Sequence, residues 1–316
     1  MWYLSFILLV LGLFVVWYGA GLVIKACTRT TKEIGIHDSF VGLTVLSIGT
    51  SLPEISTHIK SSINILRGIE SSGIAVGTNI GSNIIQITFI MGLIAFLVRI
   101  HATKKVLKGD YVVMLGSILL LWLFSLDGVL SRFEGILLVG LYLLYLYHLG
   151  DEEHILSKFA HPYHKVHWMQ NLCIFFVGVV LLIVGADLVV DKGILLSIEW
   201  GVRETLIGTM LIGVGTALPE LTTSIRAVLS KAEGMSVGTL IGSNITNPMF
   251  AVGIGAIISG YTVDRSLIIF DMPFWFIISL VGLLLFWKHQ ELTRKGAMIM
   301  IGGYIGYVII SLTLFR

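Results

Sequence analysis

Long apolar runs alternate with short polar stretches along the whole chain. Runs of spanning length fall at about 2–25, 39–66, 72–98, 109–126, 133–149, 169–191, 204–229, 235–259, 267–287 and 296–315. A helix needs roughly 20 apolar residues to cross a bilayer core. The pattern therefore predicts an all-α polytopic membrane protein with ten transmembrane helices. The fifth run is short, with soft ends. The first is too long for a removed signal peptide, lacks a basic leader and has a later counterpart, so it is expected to stay.

Two runs are broken by the same device. Residues 49–54 read Gly-Thr-Ser-Leu-Pro-Glu, and residues 215–220 read Gly-Thr-Ala-Leu-Pro-Glu. Proline has no N–H, so Pro53 cannot bond the carbonyl of Gly49, nor Pro219 that of Gly215. At membrane depth a freed carbonyl persists only where protein, water or an ion satisfies it. An acidic side chain there costs roughly 2.5 kcal/mol or more, which marks Glu54 and Glu220 as functional candidates.

These stretches belong to a repeat. Gly19, Gly42 and Glu54 align with Gly185, Gly208 and Glu220 at an offset of 166. Val76–Ile84 then matches Val237–Ile245 at eight of nine positions, at an offset of 161. Five helices per half is an odd number, so the halves are expected to be inverted: 1–149, a linker at 150–168, and 169–316. Inverted repeats with interrupted helices are typical of secondary transporters, with the site near the midplane.

Composition agrees with the pattern. The 316 residues are 56% hydrophobic and 13% charged, and the mean hydropathy is +0.93. No basic stripe points to nucleic acid. Cys27 and Cys173 follow no metal spacing and read as packing residues. Of the 21 Lys and Arg residues, 13 lie in the loops 25–38, 99–108, 150–168, 230–234 and 288–295, against 6 in the opposite loops and the C-terminus. The positive-inside rule places these five loops in the cytoplasm and both termini outside the cell membrane. The histidine-rich segment 148–167 reads as a solvated cytoplasmic loop, and most tryptophans, Trp275 included, as interface anchors.

The candidate chemistry is that of hard oxygens. Carboxylates beside unwound carbonyls suit Ca2+ or Na+ rather than soft metals. Ser82 and Ser243, small hydroxyls in the repeated segments 77–86 and 238–247, are further candidate ligands. An intramembrane protease would need paired aspartates, a Ser/His dyad or a helix with two zinc-binding histidines. The spans hold none of these, so no enzyme and no cofactor are expected. A cation channel could also use a glutamate pair, but would need no counter-ion.

At these motifs the chain resembles the sodium/calcium exchangers of the cation/Ca2+ antiporter superfamily, especially the small prokaryotic members. The resemblance covers nearly the whole chain. Thr50 and Thr216, where proton-coupled relatives usually carry Asn, favour the sodium branch. The resemblance implies a Ca2+ site made by Glu54, Glu220 and the carbonyls of Thr50 and Thr216. It implies Na+ sites from the Ser47 carbonyl with Ser51, Glu54 and Ser82, and from the Gly213 carbonyl with Glu220 and Ser243. Gln86 and Asn247 occupy the middle positions, where the family commonly has Asn and Asp. Ala217 stands where a hydroxyl is usual. A neutral Asn247 argues against K+ dependence, and the missing hydroxyl leaves the family's 3:1 stoichiometry open. The expected function is Ca2+/Na+ antiport by a monomer in the lipid bilayer, with H+/Ca2+ antiport as the alternative.

Charge suggests how exchange becomes obligatory. Two ionised glutamates carry −2, and moving the empty site across a low-dielectric barrier is costly. One Ca2+, two Na+ or two protons cancel that charge.

Overall fold

The computed structural model describes residues 2–160, 167–199, 215 and 217–314. Among them the chain forms α1 (Trp2–Ile34), α2 (Asp38–Thr50), α3 (Leu52–Leu66), α4 (Ser72–Leu97), α5 (Lys104–Phe124), α6 (Arg132–Glu152) and the short α7 (Ile155–Ala160). After these come α8 (Trp168–Glu199), α9 (Leu218–Leu229), α10 (Glu233–Ser259), α11 (Leu267–Trp287) and α12 (Arg294–Leu314). Eight of these helices are long and apolar enough to cross a membrane, so the chain is a multi-pass helical membrane protein. The run predicted at 39–66 is divided into α2 and α3 at Ser51. Residues 204–214 and 216 of the seventh run lie outside the described residues.

Two helices outrun their apolar signal for local reasons. α1 continues to Ile34 because the hydroxyls of Thr28, Thr30 and Thr31 bond back to the carbonyls of Ile24, Ala26 and Thr28. Polar residues can therefore extend the helix without stranding donors. Its Glu33 is held by His167 and Asn171 Nδ2, the latter at 2.8 Å. α6 opens on a capping box, with Ser131 N donating to Glu134 Oε2 at 2.8 Å and Glu134 N to Ser131 Oγ at 3.3 Å, and it runs on to Glu152.

The repeated segments occupy the centre. The apolar windows of α4 and α10 are 72% and 78% buried, against 17% for α12. α2 lies directly on α10: a Cβ added at Gly42 would stand 2.6 Å from the Met235 carbonyl, and one at Gly242 2.8 Å from that of Leu43. Only glycine permits this backbone approach. α1 and α8 pack along each other on the outside of the bundle.

Two small strand pairs tie the loops. β1 (Ile100–His101) pairs antiparallel with β4 (Glu291–Leu292), Ile100 opposite Leu292. β2 (Val129–Leu130) pairs with β3 (Tyr261–Thr262), Leu130 opposite Tyr261.

The linker is tied down more than a solvated loop would be. Glu153 is buried, accepts from His37 N at 2.8 Å and pairs with Lys158 Nζ at 2.6 Å. Trp275 is fully buried and donates to Asn244 Oδ1 at 3.0 Å, so it is a core residue rather than an interface anchor. His161 and His164 lie outside the described residues.

Candidate functional site

The candidate site lies where α3 and α9 begin, beside the two central helices. Ser51, with φ −81° and ψ 1°, ends α2 and starts α3. Ala217, with φ −87° and ψ 0°, caps the start of α9. Pro53 and Pro219 follow in the first turn, where a missing N–H costs the new helix nothing. This geometry puts Glu54 and Glu220 in the first turn of α3 and α9, at the positive end of each helix dipole. Both are buried, 3% and 0% exposed, and Glu220 feels the charge of Glu54.

Ser47, Thr50, Ser51, Ser82, Gln86, Ser243 and Asn247 are all buried as well. Thr216 and Gly213 lie outside the described residues. Ser82 Oγ donates to Glu54 Oε1 at 3.1 Å, and Gln86 Nε2 donates to Ser82 Oγ at 3.1 Å. The Thr50 hydroxyl is committed to the Leu46 carbonyl at 3.0 Å, and the Ser47 hydroxyl to that of Leu43 at 2.7 Å. A hydroxyl that donates its hydrogen keeps oxygen lone pairs, so each residue could still offer an ion its hydroxyl oxygen as well as its backbone carbonyl. The Ser47 carbonyl already accepts from Ser51 N at 3.0 Å, with Thr50 Oγ1 a further 3.4 Å contact.

Six oxygens of these residues are buried without a hydrogen-bond partner among the described residues: Ser51 Oγ, Glu54 Oε2, both Glu220 oxygens, Ser243 Oγ and Asn247 Oδ1. Such orphans are costly and rare in a settled core, so a cluster of them requires an explanation. No lysine, arginine or histidine forms an ion pair with either glutamate among the described residues. An all-oxygen set around two carboxylates fits a hard cation. A small cleft lined by Glu54, Thr57, His58, Ala75, Thr78 and Asn79 leads to it.

Sequence reasoning missed the polar scaffold of the site. His58, Asn79, Asn83, Asn244 and Tyr261 are buried and bonded to one another or to the middle residues. A signal was present: three of these asparagines fall in the repeated polar segments, and His58 is an ionisable residue within a span.

The fold defines a multi-pass membrane protein, and at its centre lies a buried, acidic, oxygen-lined cluster. Residues 4–150 and 170–313 match the family model for the sodium/calcium exchanger protein. The chain belongs to the sodium/calcium exchanger family, a family of transporters and not of enzymes. It is 30% identical over 315 residues to the inner membrane protein YrbG of Escherichia coli, covering 94% of each chain. It is 26% identical over 347 residues to the sodium/calcium exchanger MaX1 of Methanosarcina acetivorans, covering 97% of this chain and 98% of the relative. A solved structure of the sodium-calcium exchanger NCX_Mj, soaked with Na+ and Sr2+, superposes with a TM-score of 0.83 at 27% identity, over 99% of this chain and all of the other.

Proposed function

We propose that this protein exchanges Ca2+ for Na+ across the cell membrane by alternating access, with Glu54 and Glu220 as the shared carboxylates of one central cation site. The observation that carries this reading is the cluster of six buried, unpartnered oxygens about that pair. Ca2+ binds Glu54, Glu220 and the carbonyls of Thr50 and Thr216. Na+ uses Ser51, Ser82 and Ser243 with the Ser47 and Gly213 carbonyls. Gln86 and Asn247 line the middle.

The scaffold is ten helices in two inverted halves, 1–149 and 169–316, joined by 150–168. Paired contacts support this. Shifting Ile100 by 161 and Leu292 by −162 gives Tyr261 and Leu130, so the register of one strand pair maps onto the other. The bond from Tyr145 to Asp110 at 2.9 Å likewise maps onto that from Tyr307 to Asp271 at 2.5 Å. Each strand pair joins one half to the other, so the halves are repeats and not independent domains.

Among the described residues the opening lies on one side. Thr57 and Thr78 are half-buried beside the cleft, whereas their counterparts Thr223 and Thr239 are 0% and 1% exposed. The cleft lies toward the end of the bundle that holds the N-terminus of α1. With 13 basic residues in the opposite loops, that end faces outside, as do both termini. The exchanger works as a monomer.

Ca2+ uptake into proteoliposomes loaded with Na+, K+ or choline tests the function. Uptake is expected only from Na+-loaded vesicles and lost in Glu54→Gln and Glu220→Gln. One observation favours a second reading: Ala217 brings no hydroxyl to the second helix break, and the middle residues are neutral. Uptake driven by an acid interior without Na+ would establish H+/Ca2+ antiport instead. Uptake with no counter-ion would mean a channel.

A further inference from the structure

Behind the two glutamates runs a chain of side chains whose orientations depend on one another. Asn247 Nδ2 donates to Asn83 Oδ1 at 3.2 Å. Asn83 Nδ2 donates to Asn79 Oδ1 at 3.0 Å and to the Asn79 carbonyl at 2.8 Å. Asn79 Nδ2 meets His58 Nε2 at 3.1 Å and the Asn247 carbonyl at 3.4 Å. His58 Nδ1 meets the Tyr261 hydroxyl at 3.0 Å. All five residues are at most 2% exposed.

Backbone carbonyls only accept, so the contacts to the Asn79 and Asn247 carbonyls identify which ends of Asn83 and Asn79 are nitrogen in this structure. An amide nitrogen on His58 Nε2 makes that atom an acceptor. The neutral ring then carries its proton on Nδ1 and donates it to Tyr261, whose own hydroxyl hydrogen has two acceptors in reach: the His58 carbonyl at 3.1 Å and Ser62 Oγ at 2.9 Å, Ser62 giving its hydrogen to the Gly255 carbonyl. Every donor in the chain meets an acceptor. One atom is left over at its inner end: Asn247 Oδ1, buried and without a partner among the described residues.

We infer that His58 is a positioning residue for cation binding: its Nε2 lone pair orients the amides of Asn79 and Asn83 so that Asn247 turns its oxygen, and not its NH2, toward the ion. This rests on the exchange site proposed above. His58 touches no ion itself and lies one helical turn beyond Glu54 on α3. Without the imidazole acceptor, Asn79 Nδ2 keeps only the 3.4 Å contact. A rotated Asn79 sets its NH2 against that of Asn83; where Asn83 turns to escape it, at the loss of its 2.8 Å bond to the Asn79 carbonyl, the conflict passes to Asn247. An amide hydrogen facing a divalent cation replaces an attractive dipole by a repulsive one.

The test is Ca2+ binding to the purified protein by titration calorimetry, beside Na+-driven uptake in proteoliposomes. His58→Leu is expected to weaken Ca2+ binding about tenfold, in the range of one lost buried polar contact, with maximal uptake at saturating Ca2+ largely kept. His58→Gln places an amide oxygen in reach of Asn79 and is expected to hold affinity within about threefold of wild type, a fraction of one hydrogen bond. Asn247→Asp supplies the decisive cycle, because a carboxylate offers oxygen in either orientation. With His58 in place the new carboxylate would face Asn83 Oδ1, whereas in the His58→Leu background the amides are free to turn their donors toward it. Asn247→Asp should therefore help binding at least about threefold more in the His58→Leu background than in wild type, a coupling that independent sites do not show.

Additive effects, or equal losses in His58→Leu and His58→Gln, would overturn the inference. If His58→Leu does not fold, Tyr261→Phe carries the test. It removes the acceptor that holds the Nδ1 proton, and unchanged Ca2+ affinity would equally overturn the inference. Wild-type protein that binds Ca2+ but shows no Na+-driven uptake would instead count against the exchange reading, leaving the binding cycle intact.

Discussion

Ser82 and Ala217 test the proposed ion site at the level of single atoms. Ser82 Oγ is the described hydrogen-bond donor to the Glu54 carboxylate, so Ser82→Ala leaves that carboxylate with one partner fewer. Its half-saturating Na+ concentration is expected to rise about three- to tenfold, in line with one charge-assisted hydrogen bond or ion ligand. Ala217 is 1% exposed and shares the backbone conformation of Ser51. Ala217→Ser adds a hard oxygen at the second break. Half-saturating Na+ should fall about two- to threefold, with Ca2+ affinity changed less, since Na+ sites gain most from a neutral hydroxyl. Na+ titrations of vesicle uptake check both variants, and the same direction of change in the two would contradict the assignment. Glu54, Glu220, Ser82 and Ser243 could be picked out by residue type and repeat. His58 and the asparagines could not be ranked that way, because their roles depend on which atoms they face across helices.

Helix contacts set the energetics of the next scale. A Cβ at Gly242 would meet Leu43 Cα, Leu43 O and Ser47 Cβ, each at 2.8 Å, so Gly242→Ala must push α2 off α10. Overpacking of this kind costs about 1–3 kcal/mol. A lowered melting temperature in detergent is expected, with weakened Ca2+ binding because Ser47 and Thr50 move with α2. Gly306 on α12 has no heavy atom within 4 Å of an added Cβ, and Gly306→Ala should melt like wild type.

The linker makes a separate case. Burial works against the Glu153 carboxylate, but the Lys158 ammonium and hydrogen bonds from His37 outweigh it and hold the group below the usual carboxylate range. A carboxyl depressed in this way stabilises the folded state above its unfolded pKa. That contribution is lost as pH falls through the lower folded value. Glu153→Gln should therefore lower the melting temperature at neutral pH and flatten its acid dependence, as thermal scans from neutral pH down through the carboxylate range would show. Removing 152–166 would delete this anchor along with the loop. The apolar runs predicted where the helices lie but not this tie, which joins residues 116 positions apart.

At the scale of the molecule the proposed exchange turns on a count of charge. Two deep carboxylates with a neutral Gln86 and Asn247 are cancelled by one Ca2+ or by two Na+. Exchange of one for two moves no net charge. A potential of 100 mV acts on each transferred charge with about 2.3 kcal/mol, so an electrogenic cycle would respond strongly to voltage and this one should not. Clamping vesicles with a K+ gradient and valinomycin should leave initial Ca2+ uptake nearly unchanged. A steep response would show that a third positive charge travels with the ions.

The sequence alone determined the membrane class, the helix break at Ser51, the repeated segments and the choice of the two glutamates as candidates. Each follows from local chemistry: apolar length, a missing proline N–H, recurring segments, and the cost of charge in lipid. The structure alone decided which oxygens stay unpartnered, which hydroxyls donate within their own helices, and that His58, Asn79, Asn83 and Asn247 meet. Hydrogen-bond direction depends on atoms brought together from distant parts of the chain, and no local pattern encodes that meeting.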